Sequence, residues 1–230
     1  MLRTFLNLFI LIAFASCITF PSTFYKPDEE KPNKSVVSKK MIIKIFDDHR
    51  EKGNENRGGL GLVPFFPYGE NSRNIPEDTQ FGLSTPIKYY LADSLKQELN
   101  SRYRFSKLNI IDGPIDASDH FQIEGEINKY KCSEYIYFYG LSFFGVALWY
   151  LGLPISQYEC EADLTIRLKN KDRTLLEETY NGKDSLLSGL YYIKIDRVNR
   201  IHRTIVKKII TEFLNNSDQH LSKTKHFNLD

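Results

Sequence analysis

The 230-residue chain has little of what marks several common functional classes. It has three cysteines and one tryptophan, and its 31 basic residues are nearly balanced by 29 acidic ones. The formal net charge is therefore only +2, without the strongly basic surface that nucleic-acid-binding proteins use. We expect no nucleic acid among its partners. A hydrophobic content of 41% is enough for a substantial core.

The sequence also lacks a recognisable catalytic motif. The glycines between positions 58 and 61 do not have phosphate-loop spacing, no serine lies in a nucleophile elbow, and the histidines lack ligand spacing. The densest polar cluster is 47–51, DDHRE, at the end of an apolar run. Neighbouring side chains on a strand point in opposite directions, so at most two could share a site, and pairing of Asp47 or Asp48 with Arg50 is favoured. We expect no enzymatic activity, no cofactor and no metal.

The N-terminus has the layout of an export signal. Arg3 is followed by an apolar run, then by two small residues before Cys17. The stretch around Cys17 resembles a bacterial lipobox, with Phe14 where leucine is usual, as in the looser lipoboxes of spirochaetes. The resemblance implies a signal peptide over residues 1–16 and acylation of Cys17, which would hold the protein on a membrane. Ile18 in place of aspartate favours the outer membrane. If Phe14 prevents acylation, the protein is secreted.

The rest of the chain divides by composition into three parts. Residues 17–39 are rich in charge and proline and predict a flexible tether. Residues 40–215 alternate between strand and helix patterns and predict a single α+β domain. Residues 216–230 are polar and predict a frayed tail.

The order of the predicted elements defines the expected architecture. Strand patterns at 41–46, 107–112, 120–139, 158–169 and 174–180 are accompanied by two amphipathic helix patterns, one beginning at Pro86 and one over 195–213. This order predicts a mixed or antiparallel sheet of about five strands with the two helices on one face. A short apolar helix is inserted between strands.

That inserted segment is part of a stretch without any charged residue, from Tyr135 to Tyr158. Gly140 interrupts it, and Gly152 and Pro154 end a helix that begins near residue 143. Such a helix rises only about 15 Å, half of a bilayer's hydrocarbon core, so a membrane span is not expected. Two alternatives remain: the helix is buried in the core, or one face is exposed to a membrane or a partner.

A second apolar segment, residues 62–69 (LVPFFPYG), lies in a long irregular region whose length is typical of functional loops. We expect it to form one apolar patch with the 141–153 helix. The predicted membrane or partner contacts are Phe65, Phe66, Tyr68, Phe143, Phe144, Leu148, Trp149 and Leu151.

The two remaining cysteines, Cys132 and Cys160, could form a disulfide in an export compartment. The alternation around Cys160 places it on the inward face of its strand. The alternation around Cys132 points it outward unless a bulge intervenes. The sequence leaves the pairing open.

A resemblance to a known family rests on four motifs. These are FDDHR, LVPFFPYG, YGLSFFGVALWYLGLP and RTLLEETYNG, spread over residues 41–215. In order and spacing they resemble a family of uncharacterised bacterial envelope lipoproteins. The wider fold is similar to transport-auxiliary lipoproteins and, more remotely, to the curli-secretion channel. The resemblance implies a structural or transport-accessory role and supplies no catalytic residues.

The expected function is therefore that of a lipid-anchored, non-enzymatic accessory or assembly component at the bacterial outer membrane, facing the periplasm or the cell surface. Its expected partners are the membrane, an envelope protein or further copies of itself. An oligomeric pore-forming lipoprotein is the alternative. A metal-dependent enzyme that uses the 47–51 cluster ranks third.

Overall fold

The computed structural model describes residues 25–27, 35–37, 40–50, 53–74, 85–113, 120–192 and 196–222. The predicted signal peptide and Cys17 lie outside these residues. These residues form ten strands, in chain order: β1 Ser35–Val37, β2 Lys40–Lys44, β3 Asp47–Asp48, β4 Glu55–Arg57, β5 Tyr68–Asn74, β6 Tyr103–Phe105, β7 Leu108–Ile111, β8 His120–Tyr137, β9 Ser156–Asn170 and β10 Arg173–Ser188. The α-helices are α1 Ile87–Arg102, α2 Val146–Tyr150 and α3 Asp196–Ser222.

Eight of the strands form one mixed sheet. Its main path is β10-β9-β8-β2-β7, with β3, β4 and β5 joined beside β8, while β1 and β6 form a separate parallel pair. β2 is parallel to β7 and β8, and β8, β9 and β10 are antiparallel. The mixed character is as predicted, but the expected number of about five strands is wrong. The additional strands are short, and β5 (YGENSRN) has no apolar alternation by which to recognise it.

Helices α1 and α3 share a single hydrophobic core with the sheet. Their buried side chains, among them Leu95 and Phe213, join those of β8 and β9 in one cluster. Gly182 of β10 lets α3 approach closely, since a Cβ at this position would lie 2.6 Å from Ile205 Cγ2. Bulky apolar residues at helical spacing on α3 therefore meet a strand position that has no side chain.

Both predicted termini of the domain are corrected by the structure. Tyr25 and Val37 are buried, which contradicts a flexible tether at these two places within 17–39. The polar tail predicted from residue 216 is also wrong in its first part, because α3 continues to Ser222 and buries Ser217 and Leu221. Isolated apolar residues in polar sequence were too sparse to show periodicity.

Candidate functional site: an apolar tip

The end of β8, the start of β9 and the end of β10 meet an uncharged region, which we call the apolar tip. It consists of three segments, residues 58–68, 138–155 and 187–192, and none of them contains Asp, Glu, Lys or Arg. The first segment includes the 3₁₀ helix Gly58–Leu62, and the second includes the 3₁₀ helix Ser142–Gly145 and α2. The tip is therefore built from parts of the chain that are distant in sequence.

Backbone hydrogen bonds join the first two segments. The N–H groups of Phe138 and Tyr139 donate to the Pro67 carbonyl at 2.9 and 2.7 Å, and the Phe65 N–H donates to the Gly140 carbonyl at 2.9 Å. The Ser142 hydroxyl donates to the carbonyl of Leu62. The 62–69 loop and the 141–153 segment thus lie side by side, in the arrangement that the patch hypothesis requires.

A third segment, not recognised from the sequence, completes the tip. The N–H of Ile155 donates to the Ser188 carbonyl at 2.7 Å, and the Tyr191 hydroxyl donates to the Tyr150 carbonyl at 2.8 Å. Leu187, Leu190 and Tyr191 are all exposed here. The signal that could have identified this segment is the absence of charge between positions 185 and 193.

The tip exposes large apolar side chains to an unusual degree. Phe65 is 92% exposed, Phe144 83%, Leu151 78% and Phe143 71%. Single exposed apolar residues are ordinary, but contiguous patches on soluble proteins are uncommon and mark contact surfaces. Phe66 at 47% and Tyr68 at 41% extend the same surface. Six of the eight predicted contact residues are therefore exposed to solvent in this structure.

The predicted contacts Leu148 and Trp149 differ from the other six, because their side chains are partly buried. The Trp149 indole N–H donates to the Tyr137 carbonyl at 2.8 Å, and its ring packs on Phe138 with centroids 5.7 Å apart. Trp149 therefore fastens α2 to the end of β8. No residue of α2 is fully buried, so the alternative of a core helix is wrong.

The backbone of the tip is held in uncommon conformations. Among the described residues, four non-glycine residues have positive φ, and three of them lie in the tip: Phe65 at 73°, Tyr139 at 58° and Ser142 at 53°. The left-handed region costs a residue with a side chain roughly 1–2 kcal/mol. Phe65 adopts it while its ring is almost wholly in solvent, so packing of this ring offsets none of the cost. Such strain concentrates at functional sites.

A disulfide joins Cys132 of β8 to Cys160 of β9 near the base of the tip. The two residues are directly opposite in the register, with Cα atoms 4.1 Å apart. The outward orientation expected for Cys132 does not occur, because a bulge between Ile127 and Lys129 reverses the alternation. Both sulfurs are buried, facing α3.

A buried polar pair lies beside this disulfide. The Tyr130 hydroxyl and His202 Nδ1 are 3.0 Å apart, and their rings stack. Complete burial raises the pKa of Tyr130 far above its ordinary value. Within the described ranges, the one grouping of metal-ligand atoms is Cys132, Cys160 and His202. Its two sulfurs are already bonded to each other, so the grouping offers no thiolate pair to a metal in this state.

The 47–51 cluster is engaged in ion pairs. Arg50 Nε donates to Asp48 Oδ1 at 2.7 Å, and Lys44 Nζ lies 2.9 Å from Asp47 Oδ2. The hydrogen bond from Arg50 lowers the pKa of Asp48, and the one to Asp47 raises the pKa of Lys44. Glu51 lies outside the described residues. Both described carboxylates are thus occupied by cations of the same chain.

None of the helices in the described part of the chain is long and apolar enough to cross a bilayer. No family model matches the chain, and no curated protein matches it.

Among solved structures, the chain is similar to protein XCC0632 of Xanthomonas campestris, described as DUF330. The identity is 12%, the TM-score is 0.48, and the match covers 89% of this chain and 99% of that one. It is also similar to the hypothetical protein CT253 of Chlamydia trachomatis, with 11% identity, TM-score 0.38 and coverage of 82% and 98%. A neuraminyllactose-binding hemagglutinin homolog of Helicobacter pylori has 8% identity, TM-score 0.39 and coverage of 88% and 95%. Similarities of this size establish neither a family nor a function.

Proposed function

We propose that the protein is a non-enzymatic envelope lipoprotein, anchored through acylated Cys17, that works by placing its apolar tip against a lipid bilayer. In this role it is an accessory or assembly component of an outer-membrane or transport system. The single observation that carries the proposal is the tip itself: three uncharged segments meet and expose Phe65, Phe143, Phe144 and Leu151 together.

The chemistry of the tip favours lipid over an aqueous ligand. Desolvation of a charged group opposes entry into a bilayer, and the tip contains no Asp, Glu, Lys or Arg. Its Tyr and Trp side chains combine an apolar ring with a polar end, as at membrane–water interfaces. Hydrogen bonds also occupy several of its backbone groups, which lowers the cost of moving them out of water.

The tip and the acyl anchor would act together. The two or three acyl chains of a lipobox cysteine would hold the chain on the membrane, and the tip would add a second contact with the same bilayer. Burying one phenylalanine contributes about 1.5–3 kcal/mol when burial is complete. Shallow insertion of a few exposed rings is therefore enough to fix the domain's orientation on the membrane.

Vesicle flotation of the chain from residue 17, carrying Cys17→Ser, tests this proposal without the acyl anchor. Replacement of Phe143 and Phe144 by serine should lower partition into phosphatidylcholine vesicles by at least about tenfold, because two exposed rings are lost. The matched control is Val36→Ser with Tyr89→Ser, which removes two exposed apolar side chains from the body.

Equal losses in both variants, or full binding by the tip variant, would contradict a lipid-facing tip. If the starting protein does not float at all and forms a discrete oligomer, the tip instead contacts another copy of the chain. The size of the protein in solution separates these outcomes.

A further inference from the structure

A groove of about 850 Å³ runs along the solvent side of α3. One wall is formed by Lys26 and Pro27 from the N-terminal segment. The other consists of residues three, four, seven or eight positions apart, which share one helix face: Arg200, Arg203, Thr204, Lys207, Lys208, Thr211, Glu212 and Asn215. The groove therefore combines two parts of the chain that are far apart in sequence.

The groove concentrates positive charge. Five of its ten lining residues are Lys or Arg, and one is acidic. Within the described ranges, Arg200, Arg203 and Lys208 make no ion pair, and two groove hydroxyls are also present, on Thr204 and Thr211. The arrangement suits an anion with several oxygens.

The open face of the sheet shows that this charge is not a general property of the surface. There four cations have a carboxylate partner: Lys129 with Glu161, Arg167 with Glu126 and Glu177, Lys169 with Glu124, and Lys183 with Glu159. Ion pairs within the chain thus engage much of the sheet's positive charge, whereas among the described residues Arg200, Arg203 and Lys208 make none. These three cations of the groove are therefore available to an external anion.

The N-terminal wall is held in place by a buried contact. The Tyr25 hydroxyl donates to Glu98 Oε2 at 3.0 Å, and Glu98 is completely buried in α1. Arg102 Nε lies 3.5 Å from the other carboxylate oxygen of Glu98 and ties the same group to the end of α1. Lys26 and Pro27 follow Tyr25 directly, so this contact positions the wall beside α3.

We propose that the groove binds the phosphate groups of anionic lipid headgroups. Two observations favour lipid phosphate over a free anion. Helix α3 begins at Asp196, four residues after the tip ends at Tyr192, so the helical wall of the groove follows the proposed lipid-facing segment along the chain. Lys26 is nine residues from Cys17, and an extended chain of this length spans at most about 30 Å. This second step depends on the proposed attachment at Cys17.

The test uses the chain from residue 17 with Cys17→Ser and vesicles of phosphatidylcholine with or without phosphatidylglycerol. The groove variant combines Arg200→Gln, Arg203→Gln and Lys208→Gln. The control combines Arg104→Gln, Lys107→Gln and Arg173→Gln, which removes the same charge from exposed positions elsewhere. Thermal unfolding followed by circular dichroism verifies that both variants fold.

The phosphatidylglycerol-dependent part of binding should fall on the order of a hundredfold in the groove variant, because each cation at an anionic surface contributes about fivefold. The control should change it by less than about threefold. If both variants lost the same amount of phosphatidylglycerol-dependent binding, the protein's net charge alone would explain the loss, and the proposal would be overturned. Binding of the starting protein that does not increase when phosphatidylglycerol is added to the vesicles would also overturn it.

A competition arm identifies the source of the phosphate. Inorganic phosphate, compared with sodium chloride at equal ionic strength, should release no additional protein from the vesicles. Specific release by phosphate would show a free-anion site and contradict the lipid assignment. Binding that requires phosphatidylglycerol but does not respond to Phe143→Ser with Phe144→Ser would leave the groove proposal standing and contradict the proposed tip.

Discussion

The body and the apolar tip are built on the same three strands, but the body exposes charged side chains and the tip exposes apolar ones. In the body, the open face of β8, β9 and β10 has a ladder of ion pairs, such as Lys169 with Glu124 at 2.6 Å. Beyond Cys132 and Cys160 the same strands lead into uncharged segments with exposed aromatic rings. The body's open sheet face pairs charged side chains with one another, whereas the tip exposes apolar side chains and holds backbone in the left-handed region.

The largest expected effect comes from comparing one phenylalanine of each region. Phe213 is completely buried, and Phe213→Ala should lower the free energy of unfolding by about 3–5 kcal/mol. Phe144 is mostly exposed, so Phe144→Ala should change it by less than about 0.5 kcal/mol. Urea denaturation measures both values. A large loss for Phe144→Ala would show that the tip is part of the core.

The disulfide should contribute next. Cys132 and Cys160 are 28 positions apart, and opening a loop of this size costs about 3.5 kcal/mol of stability. Cys132→Ser with Cys160→Ser should therefore reduce the free energy of unfolding by about 2–4 kcal/mol. Denaturation with and without a thiol reductant provides the control, since the double variant should not respond to the reductant. If the reductant also lowered the stability of the double variant, the effect of the reductant could not be assigned to the Cys132–Cys160 disulfide.

At Phe65 we expect a substitution that weakens vesicle binding without lowering the free energy of unfolding. Phe65→Gly relieves a left-handed conformation and should leave the free energy of unfolding unchanged or raise it by up to about 1 kcal/mol. The same change should weaken vesicle binding several-fold, because an exposed ring is lost. Phe65→Ala is the matched control, which loses the ring but keeps the strain. Destabilisation by Phe65→Gly would contradict the strain argument.

The smallest effect is expected from the ion pairs of the body. The hydrogen bond from Arg167 lowers the pKa of Glu126 below its ordinary value of about 4.3. A depressed folded-state pKa adds stability above the unfolded-state pKa, and this stability disappears as the pH falls through the folded-state pKa. Glu126→Gln should thus cost less than about 1 kcal/mol at neutral pH and nothing in strong acid. If the stability difference between the variant and the starting protein were the same at neutral pH and in strong acid, the effect would come from packing and not from the ion pair.

The sequence predicted the tip better than the body because missing charge is visible without knowing the fold. The two uncharged segments around Phe65 and Phe144 were recognised in this way, and the structure brings them together. The third, around Tyr191, is short and follows a clear strand pattern, so its lack of charge does not stand out in the sequence. The bulge after Ile127, which decides the orientation of Cys132, has no sequence signal of its own.

The groove was harder to predict from the sequence. The basic face of α3 is evident from its helical spacing, but its second wall depends on Tyr25, an isolated aromatic residue in polar sequence. The Tyr25 hydroxyl donates to the buried carboxylate of Glu98, and nothing in the sequence distinguishes Glu98 from the exposed charged residues of the same helix. Contacts over 73 positions arise from tertiary packing and leave no local pattern.

The most direct test of the account is the depth of Phe144 in a bilayer. Trp149 is the only tryptophan, so Trp149→Phe with Phe144→Trp moves the fluorescent reporter to the exposed end of the tip. Trp149→Phe with Tyr89→Trp places it on the body as a control. In vesicles with brominated acyl chains, the account predicts strong quenching for the reporter at position 144 and none for the reporter at position 89. Absence of quenching at position 144 would contradict a membrane-facing tip.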